Sequence, residues 1–532
     1  MFPVTLLSEK RGLLNSFKKT DIVPSFGFAL FLTINATQVW GGVFPFLPMS
    51  FQTESVTLGF YLAQSIAFVA AFAAGALEAY WFPQAARKMN VAIATTLVAV
   101  GSVLVIAAMY SSEFTLVLVY SGGVLLGIGT AAFFMLWQRY FSSIDARDCN
   151  MQLMLGTALS APIYFALHAV PIALTAFLVP AVLLPISALC LSLAVRTMVF
   201  EQAMFEDIPR DNPSVYSQLL RDSWRSAVCV AALGLACGLA RGVALRDPSV
   251  GAVVNVCAML GSLSAAVILL WLSRTKSVSF DMNTTFRIVF PFVVTGMLLF
   301  PLFRGMGIYL FSGMTYMALS IIVLVMMMIC AQVSRDRGTS PVFVYGFFAA
   351  CAYAPQGAGF LLGWNAEGDT VLGVEQTAFF AVVAMYVLGI ALLLVSIPRS
   401  DLHRSRSLQV ELIKPARTRA EATPDAADAP KAGSAKKRRG PRRQDDDGVE
   451  YKDRTSKQVA VAKDAYALST REAEVMNLLA RGHTVSSIAE SLFISENTVR
   501  THSKHIYAKM DVHSKFELME RLEQVDLSAL DA

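Results

Sequence analysis

The chain has 532 residues, 55% of them hydrophobic and only 16% charged, well below the roughly 25% charge of soluble globular proteins, so a water-soluble enzyme or binding module is excluded as the bulk of the molecule. A formal net charge of +5 is too small a surplus to specify a polyanionic partner, and the distribution of charge has to be read instead. The seven cysteines include no CxxC pair, and six (Cys190, Cys229, Cys237, Cys257, Cys330 and Cys351) lie in apolar runs, which excludes a disulfide scaffold and a zinc ribbon.

The basic start (Lys10, Arg11, Lys18, Lys19) precedes an apolar run from Ile22 to Leu47. That run is too long for the core of a signal peptide and reads as a membrane span. Uncharged stretches of about 20 residues, the length that crosses a bilayer, recur near 24–46, 56–81, 91–110, 114–138, 151–171, 174–198, 226–246, 249–272, 286–303, 307–333, 341–364 and 376–397. Lipid offers no partner to backbone amides, and continuous apolarity without period-two alternation selects helices over a barrel. Residues 1–398 are therefore expected to form an all-α, polytopic bundle of about twelve transmembrane helices.

Basic residues fix the expected orientation. The amino-terminal segment and the alternate loops on its side carry Arg87, Lys88, Arg139, Arg147, Arg210, Arg221, Arg225, Arg274, Lys276, Arg335 and Arg337, against Arg246 and Arg304 on the other side. The positive-inside rule puts both termini in the cytoplasm, in a multi-pass protein of the inner (cytoplasmic) membrane. The longest inter-helix loop, Val199 to Arg225, divides the spans into six plus six. Two six-helix halves around a long middle loop resemble the major facilitator superfamily of transporters. The loop between helices 2 and 3, WFPQAARKMN from Trp81 to Asn90, keeps two basic residues but lacks that family's G-x-x-x-D-R-x-G-R pattern.

Beyond Ile397 the composition changes. Residues 399–466 hold 17 Lys/Arg and 11 Asp/Glu with few large apolar groups, too little to bury a core, and read as a disordered charged linker. Within it KKRRGPRR (Lys436 to Arg443) concentrates charge that an anionic leaflet or DNA would attract, or that serves only as a solvated tether.

From 467 to 532 helical periodicity returns. Ser469-Thr-Arg-Glu472 is a capping box opening a helix that places Val475, Leu478 and Leu479 on one face and stops at Gly482. A second helix from about Val485 to Leu492 buries Ile488 and Leu492, and Phe493 and Ile494 form an apolar turn. Ser495 caps a third helix from Glu496 to Met510, and Ser514-Lys-Phe-Glu517 begins a fourth. Two short helices joined by a tight turn, the second longer and basic, describe a helix-turn-helix. The motifs L-S-T-R-E-A-E-V, I-A-E-S-L-F-I-S-E-N-T-V-R-T-H and K-M resemble the LuxR-type (GerE-like) DNA-binding domain over about 58 residues. The resemblance implies that Thr498 and Val499 enter the groove region, that Arg500 and Lys504 contact phosphates or base edges, and that the fourth helix dimerises. Thr501, between the basic positions, is a further candidate for base contact. Residues 467–526 carry seven basic and nine acidic residues, so the domain as a whole has no general attraction for DNA. Arg500, Lys504 and Lys509 nonetheless form a local basic ridge on the third helix, with 500 and 504 on one face. His502 and His505, at i and i+3, lack companions fitting a metal site.

Inside the bundle, Gly234, Gly238 and Gly242 make two GxxxG steps, read as packing between helices of one bundle rather than a dimer face. Gly359 and Gly363 form a similar step beside Pro355, Gln356 and Gly357. There the proline is expected to break or kink the helix, and unwound backbone at that depth would line a ligand cavity. Arg241 is expected to snorkel to the outer surface, and the lack of midplane carboxylates points to a neutral or apolar ligand. No constellation for nucleophilic, acid–base or metal catalysis is present, so no enzymatic activity, cofactor or metal is expected.

The whole chain resembles bacterial membrane-bound LuxR-type regulators with transporter-like sensors. That resemblance implies a one-component transcription regulator whose partners are the lipid bilayer, an unknown small-molecule ligand and double-stranded promoter DNA, bound as a homodimer. The alternative is a working small-molecule transporter with an appended regulatory DNA-binding module.

Overall fold

The computed structural model describes residues 19–38, 49–198, 202–396, 409–412, 454–480 and 485–523, apart from 207–208, 210–212, 246–247, 276–277, 300–305, 367–369, 372–373, 486–487, 490–491, 493 and 513–514. Among them, twelve long helices occupy the first 396 positions: α1 Lys19–Gln38, α2 Glu54–Trp81, α3 Val91–Ala108, α4 Thr115–Ser143, α5 Ala146–Leu167 and α6, which runs from Ile172–Leu178 through a π-helical turn, Val179–Leu183, into Leu184–Arg196. The second six are α7 Pro213–Leu245, α8 Pro248–Thr275, α9 Met282–Leu299, α10 Met306–Arg337, α11 Pro341–Trp364 and α12 Gln376–Ser396. Each coincides with one expected stretch, and the fold is all-α apart from two small ribbons.

Seven helices (α2, α3, α4, α6, α7, α8 and α10) contain segments that are by themselves long and apolar enough to cross a membrane among the described residues. Ile22–Thr37, Thr284–Gly296 and Ala381–Ser396 are shorter apolar segments. Ile66, Leu77, Trp271 and Leu393 stand exposed on the outside of the bundle, an apolar surface too extensive for contact with water. This is a membrane protein.

Within the first half, α2 and α3 pack on α4 and α1 packs on α5 and α6; within the second, α7 packs on α11, and α8 and α9 on α10. The halves meet along α2–α11 and α5–α8. Aromatic rings fill the interior. Phe28 of α1 meets Trp137 and Phe141 of α4 edge-on at 5.5 and 5.1 Å, and Phe72 of α2 meets Tyr345 of α11 at 5.6 Å, spacings at which ring edges face ring planes favourably.

The structure corrects two expectations about connections. Residues 213–225, read as loop, are the first turns of α7, begun by Pro213 and burying Tyr216 and Leu219. Hydropathy finds the part of a helix that lies in lipid, not the part that projects beyond it. The charged stretch 399–466 is not wholly irregular either. Gln409–Leu412 forms a strand, β4, antiparallel to β1, Val278–Asp281, with Val278 opposite Leu412. The other ribbon pairs β2, Thr370–Val371, with β3, Val374–Glu375. Arg454–Ala465 is a helix, α13, whose Val459 and Ala462 join the apolar core of the carboxy-terminal domain.

That domain continues with α14 Thr470–Ala480, α15 Glu496–Met510 and α16 Lys515–Glu523. Ile488, from the segment between α14 and α15, is fully buried with Val475, Met476, Ile506, Met510 and Leu518. Leu492 is only half-buried, at the edge of this core. Gly482, Phe493 and Ser514 lie outside the described residues.

Candidate nucleic-acid interface and the core of the bundle

Both ends of the helix-turn-helix segment are built from short-range hydrogen bonds. At the start of α14 the Ser469 amide donates to Glu472 Oε2 at 2.7 Å and the Glu472 amide donates to Ser469 Oγ at 3.2 Å, a reciprocal capping box. At the start of α15 the Thr498 amide donates to Ser495 Oγ at 3.1 Å. The last turn of α15 closes through Asp511, which takes the left-handed conformation at φ 53°, and through the Val512 amide donating to the Tyr507 carbonyl at 3.0 Å.

Helix α15 thus lies with one face in the core and one in solvent. Val499, Ile506 and Met510 point inward, while Thr498, Arg500, Thr501, Lys504 and His505 are exposed. Two expectations need correction. Val499 is 0% exposed and is a core residue, because position 499 falls on the same helical stripe as Ile506 and Met510. Lys509 does not extend the basic ridge: its ammonium donates to Glu472 Oε2 at 2.7 Å and to the Ala467 carbonyl at 3.2 Å. The last turn of α15 passes the first turn of α14, and a lysine there finds a buried carboxylate before it finds solvent.

Glu472 is consequently the electrostatic centre of the domain. The Lys509 ammonium first, and the Ser469 amide second, hold its carboxyl down at about 2, below the usual carboxylate range. His505 Nδ1 lies 3.8 Å from the other oxygen. A folded pKa below the unfolded one stabilises above the unfolded value, and that contribution disappears as pH falls towards the folded value. The melting temperature of a 450–532 fragment is expected to be insensitive to this group above about pH 5 and to fall between about pH 5 and 2. Its contribution is about 1–2 kcal/mol, discounted for the half-exposed Lys509. Glu472→Gln should flatten that limb, and an unchanged acid limb would contradict the assignment.

In the bundle, the glycine stripe on α7 faces α11. A Cβ at 234, 238 or 242 would lie 2.3, 1.9 or 2.2 Å from the carbonyl oxygens of Ala352, Gln356 and Phe360, and one at 359 or 363 would meet those of Leu235 and Leu239. These glycines pack one bundle, as expected. The neighbouring site does not have the expected backbone. Helix α11 runs unbroken through Pro355, Gln356 and Gly357, because the close seam with α7 holds both sides of the proline in register. Unwound backbone therefore lends no support to a cavity there.

Arg241 also departs from expectation. It is 3% exposed and turns inward, since the face of α7 next to the glycine stripe, carrying Cys237 and Arg241, packs against α10. Its Nη1 donates to the Tyr316 hydroxyl at 3.2 Å, and its guanidinium carbon lies 5.8 Å from the ring centres of both Tyr316 and Tyr61. Among the described residues no group of three or more His, Cys, Asp and Glu side chains is placed to hold a metal ion.

Residues 466–522 match the family described as bacterial regulatory proteins, luxR family. Over 53 residues the chain is 49% identical to the oxygen regulatory protein NreC of Staphylococcus haemolyticus and 47% identical to NreC of Staphylococcus epidermidis. Each match covers 10% of this chain and 24% of the relative, so the chain spans about a quarter of the length of these curated relatives. The bundle is similar to a bacterial homologue of the iron transporter ferroportin in its outward-facing state, with a TM-score of 0.50 and 12% identity over 71% of this chain and 98% of that one. The major facilitator superfamily transporter FucP gives 0.47 and 13% over 71% and 97%. At such identities the likeness is one of fold. The chain therefore joins a membrane bundle with a transporter-like fold to a LuxR-type DNA-binding regulator domain.

Proposed function

We propose that this protein is a membrane-integral, one-component transcription regulator. In this reading the bundle senses a small molecule, both termini lie in the cytoplasm of a cell whose inner membrane holds the bundle, and the LuxR-type domain binds promoter DNA as a homodimer. The observation that carries it is the exposed face of α15. Arg500 and Lys504 stand one turn apart with Thr501 between them and Thr498 at the helix start, on a helix whose opposite face is locked into the core. A rigid helix with paired cations beside small hydrogen-bonding side chains suits phosphate contact and base-edge contact in a major groove. In this reading its fusion to a transporter-like bundle in one chain supplies the input.

The ribbon between β1 and β4 supports coupling. The chain leaving α12 is paired to the loop between α8 and α9 before the rest of the charged stretch begins, so a shift of that loop would move the start of the tether.

Arg500→Ala and Lys504→Ala are each expected to weaken binding of the 450–532 fragment to promoter DNA by about 1–3 kcal/mol, with affinity falling steeply as salt rises. Lys509→Ala should act on melting temperature rather than on the salt slope. A gel-shift titration in which both 500 and 504 variants keep wild-type affinity would refute the groove assignment. Uptake of labelled compound by vesicles containing the protein would favour the transporter alternative instead.

A further inference from the structure

The guanidinium of Arg241 is a cation buried inside a membrane bundle, and its contacts leave it underpaired. One Nη bonds to a neutral hydroxyl, two tyrosine faces flank the charge, and buried Nε has no hydrogen-bond acceptor. No carboxylate of the described residues lies within ion-pair distance of it. An intramembrane charge is costly unless paired, and the ring faces offset only part of that cost. Elsewhere in the same bundle the solution is different, since Arg337 is paired with the buried Asp222 at 2.9 Å.

The position is as informative as the charge. Arg241 sits on α7, Tyr316 on α10 and Tyr61 on α2, so the cluster spans the two halves. One turn nearer the Leu245 end, Tyr61 stacks on Phe360 of α11 with ring centres 3.7 Å apart, and Leu245 and Trp364 complete a small apolar plug. The plug is a contact between halves, and parting it would open a way to Arg241 from that end of the bundle.

We propose that Arg241 anchors the carboxylate of a small organic acid with an apolar or aromatic body, bound among α2, α7 and α10 once the plug parts. A carboxylate matches the planar donor fork of arginine, whose five N–H groups are mostly unused here. The single cation favours a monoanion over a phosphate, which would need more than one positive partner. The rings of Tyr61, Tyr316, Phe360 and Trp364 suit the apolar remainder. The inference rests on the sensor reading and deepens it, replacing the neutral ligand expected from sequence by an anionic one. The acid neutralises Arg241 only by separating Tyr61 from Phe360, so occupancy changes the contact between the halves.

The test uses the purified full chain in detergent and a panel of monocarboxylates from acetate to 3-phenylpropanoate, each with its amide, read by thermal shift. At least one acid is expected to raise the melting temperature saturably while its amide does not, and Arg241→Met should weaken that response by about tenfold or more. Without ligand, Arg241→Met should melt no lower than the wild type, because it removes an uncompensated charge; Arg241→Lys keeps the charge and should retain part of the response. The proposal is overturned if no acid acts, if acids and amides act alike, or if the response survives Arg241→Met. Promoter-DNA affinity, read on the same samples, separates the two readings. An acid that binds through Arg241 without changing DNA affinity refutes the sensor and supports the anion site, whereas control of DNA affinity by neutral compounds alone refutes the anion site and leaves the sensor standing.

Discussion

Gly238→Leu is expected to leave no correctly assembled bundle. A Cβ at this position would lie 1.9 Å from the Gln356 carbonyl oxygen and 2.8 Å from the Phe360 amide nitrogen. Both are backbone atoms inside α11 and cannot rotate aside. The adjoining steps of the seam are equally close, with 2.2 Å from position 242 to the Phe360 oxygen and 2.2 Å from 359 to the Leu235 oxygen, so α7 cannot pivot at one point to make room. The helices would have to separate along their length, giving up close backbone packing that small residues make possible in lipid. The expected loss exceeds about 4 kcal/mol, the range reached by severe overpacking and lost core contacts. Gly357→Ala is the matched control, since nothing lies within 4 Å of a Cβ there; it should be neutral or slightly stabilising, as expected for glycine replaced within a helix. Size-exclusion profiles and melting temperatures of the two variants in detergent check this. A monodisperse Gly238→Leu protein melting like the wild type would mean that the stripe faces lipid or a second copy instead of α11.

The same seam explains what was legible in the sequence. Twelve helices could be placed because lipid demands internally satisfied backbone and long uncharged runs have one solution. The GxxxG steps were readable as packing, but the partner was not, since α11 lies about 120 residues later in the chain. Pro355 misled for that reason: judged locally it breaks a helix, while in place it is held by Gly238 and Gly242 on α7. Arg241 misled in the same way, because residue number gives depth but not which face of α7 turns towards α10. In the carboxy-terminal domain the caps at Ser469 and Ser495 were readable, being contacts three residues apart. The fates of Val499 and Lys509 depend on where α14 crosses α15, which periodicity weighs for 499 and cannot supply for 509. Helix α13 was hidden because Val459 and Ala462 are few apolar positions in a charged stretch, and they matter only against a core built from α14 and α16.

Asp222→Ala is expected to cost about 3–5 kcal/mol, the usual penalty for leaving a buried charge without its partner. Its carboxylate accepts from Arg337 Nη2 at 2.9 Å, with side-chain exposures of 8% for Asp222 and 10% for Arg337. The pair joins α7 to α10 beyond the apolar spans, where Ser340 donates its amide to the Tyr216 hydroxyl at 3.0 Å. Two residues earlier on α10, Arg335 donates to the Phe141 and Ile144 carbonyls at 2.8 and 2.9 Å, tying this end of α10 to the end of α4 in the other half. A charge left unpaired at Arg337 would therefore disturb the junction on which both halves converge. Removing the cation as well should reverse most of the damage, because a buried ion pair exchanged for apolar side chains is often close to neutral. Asp222→Ala with Arg337→Met should melt well above Asp222→Ala alone. A double-mutant cycle on melting temperature measures the coupling directly. Equal melting of the single Asp222→Ala and the double variant would mean that Arg337 reaches water when its partner is lost, and that the stability of this junction comes from the Arg335 bonds to α4 alone.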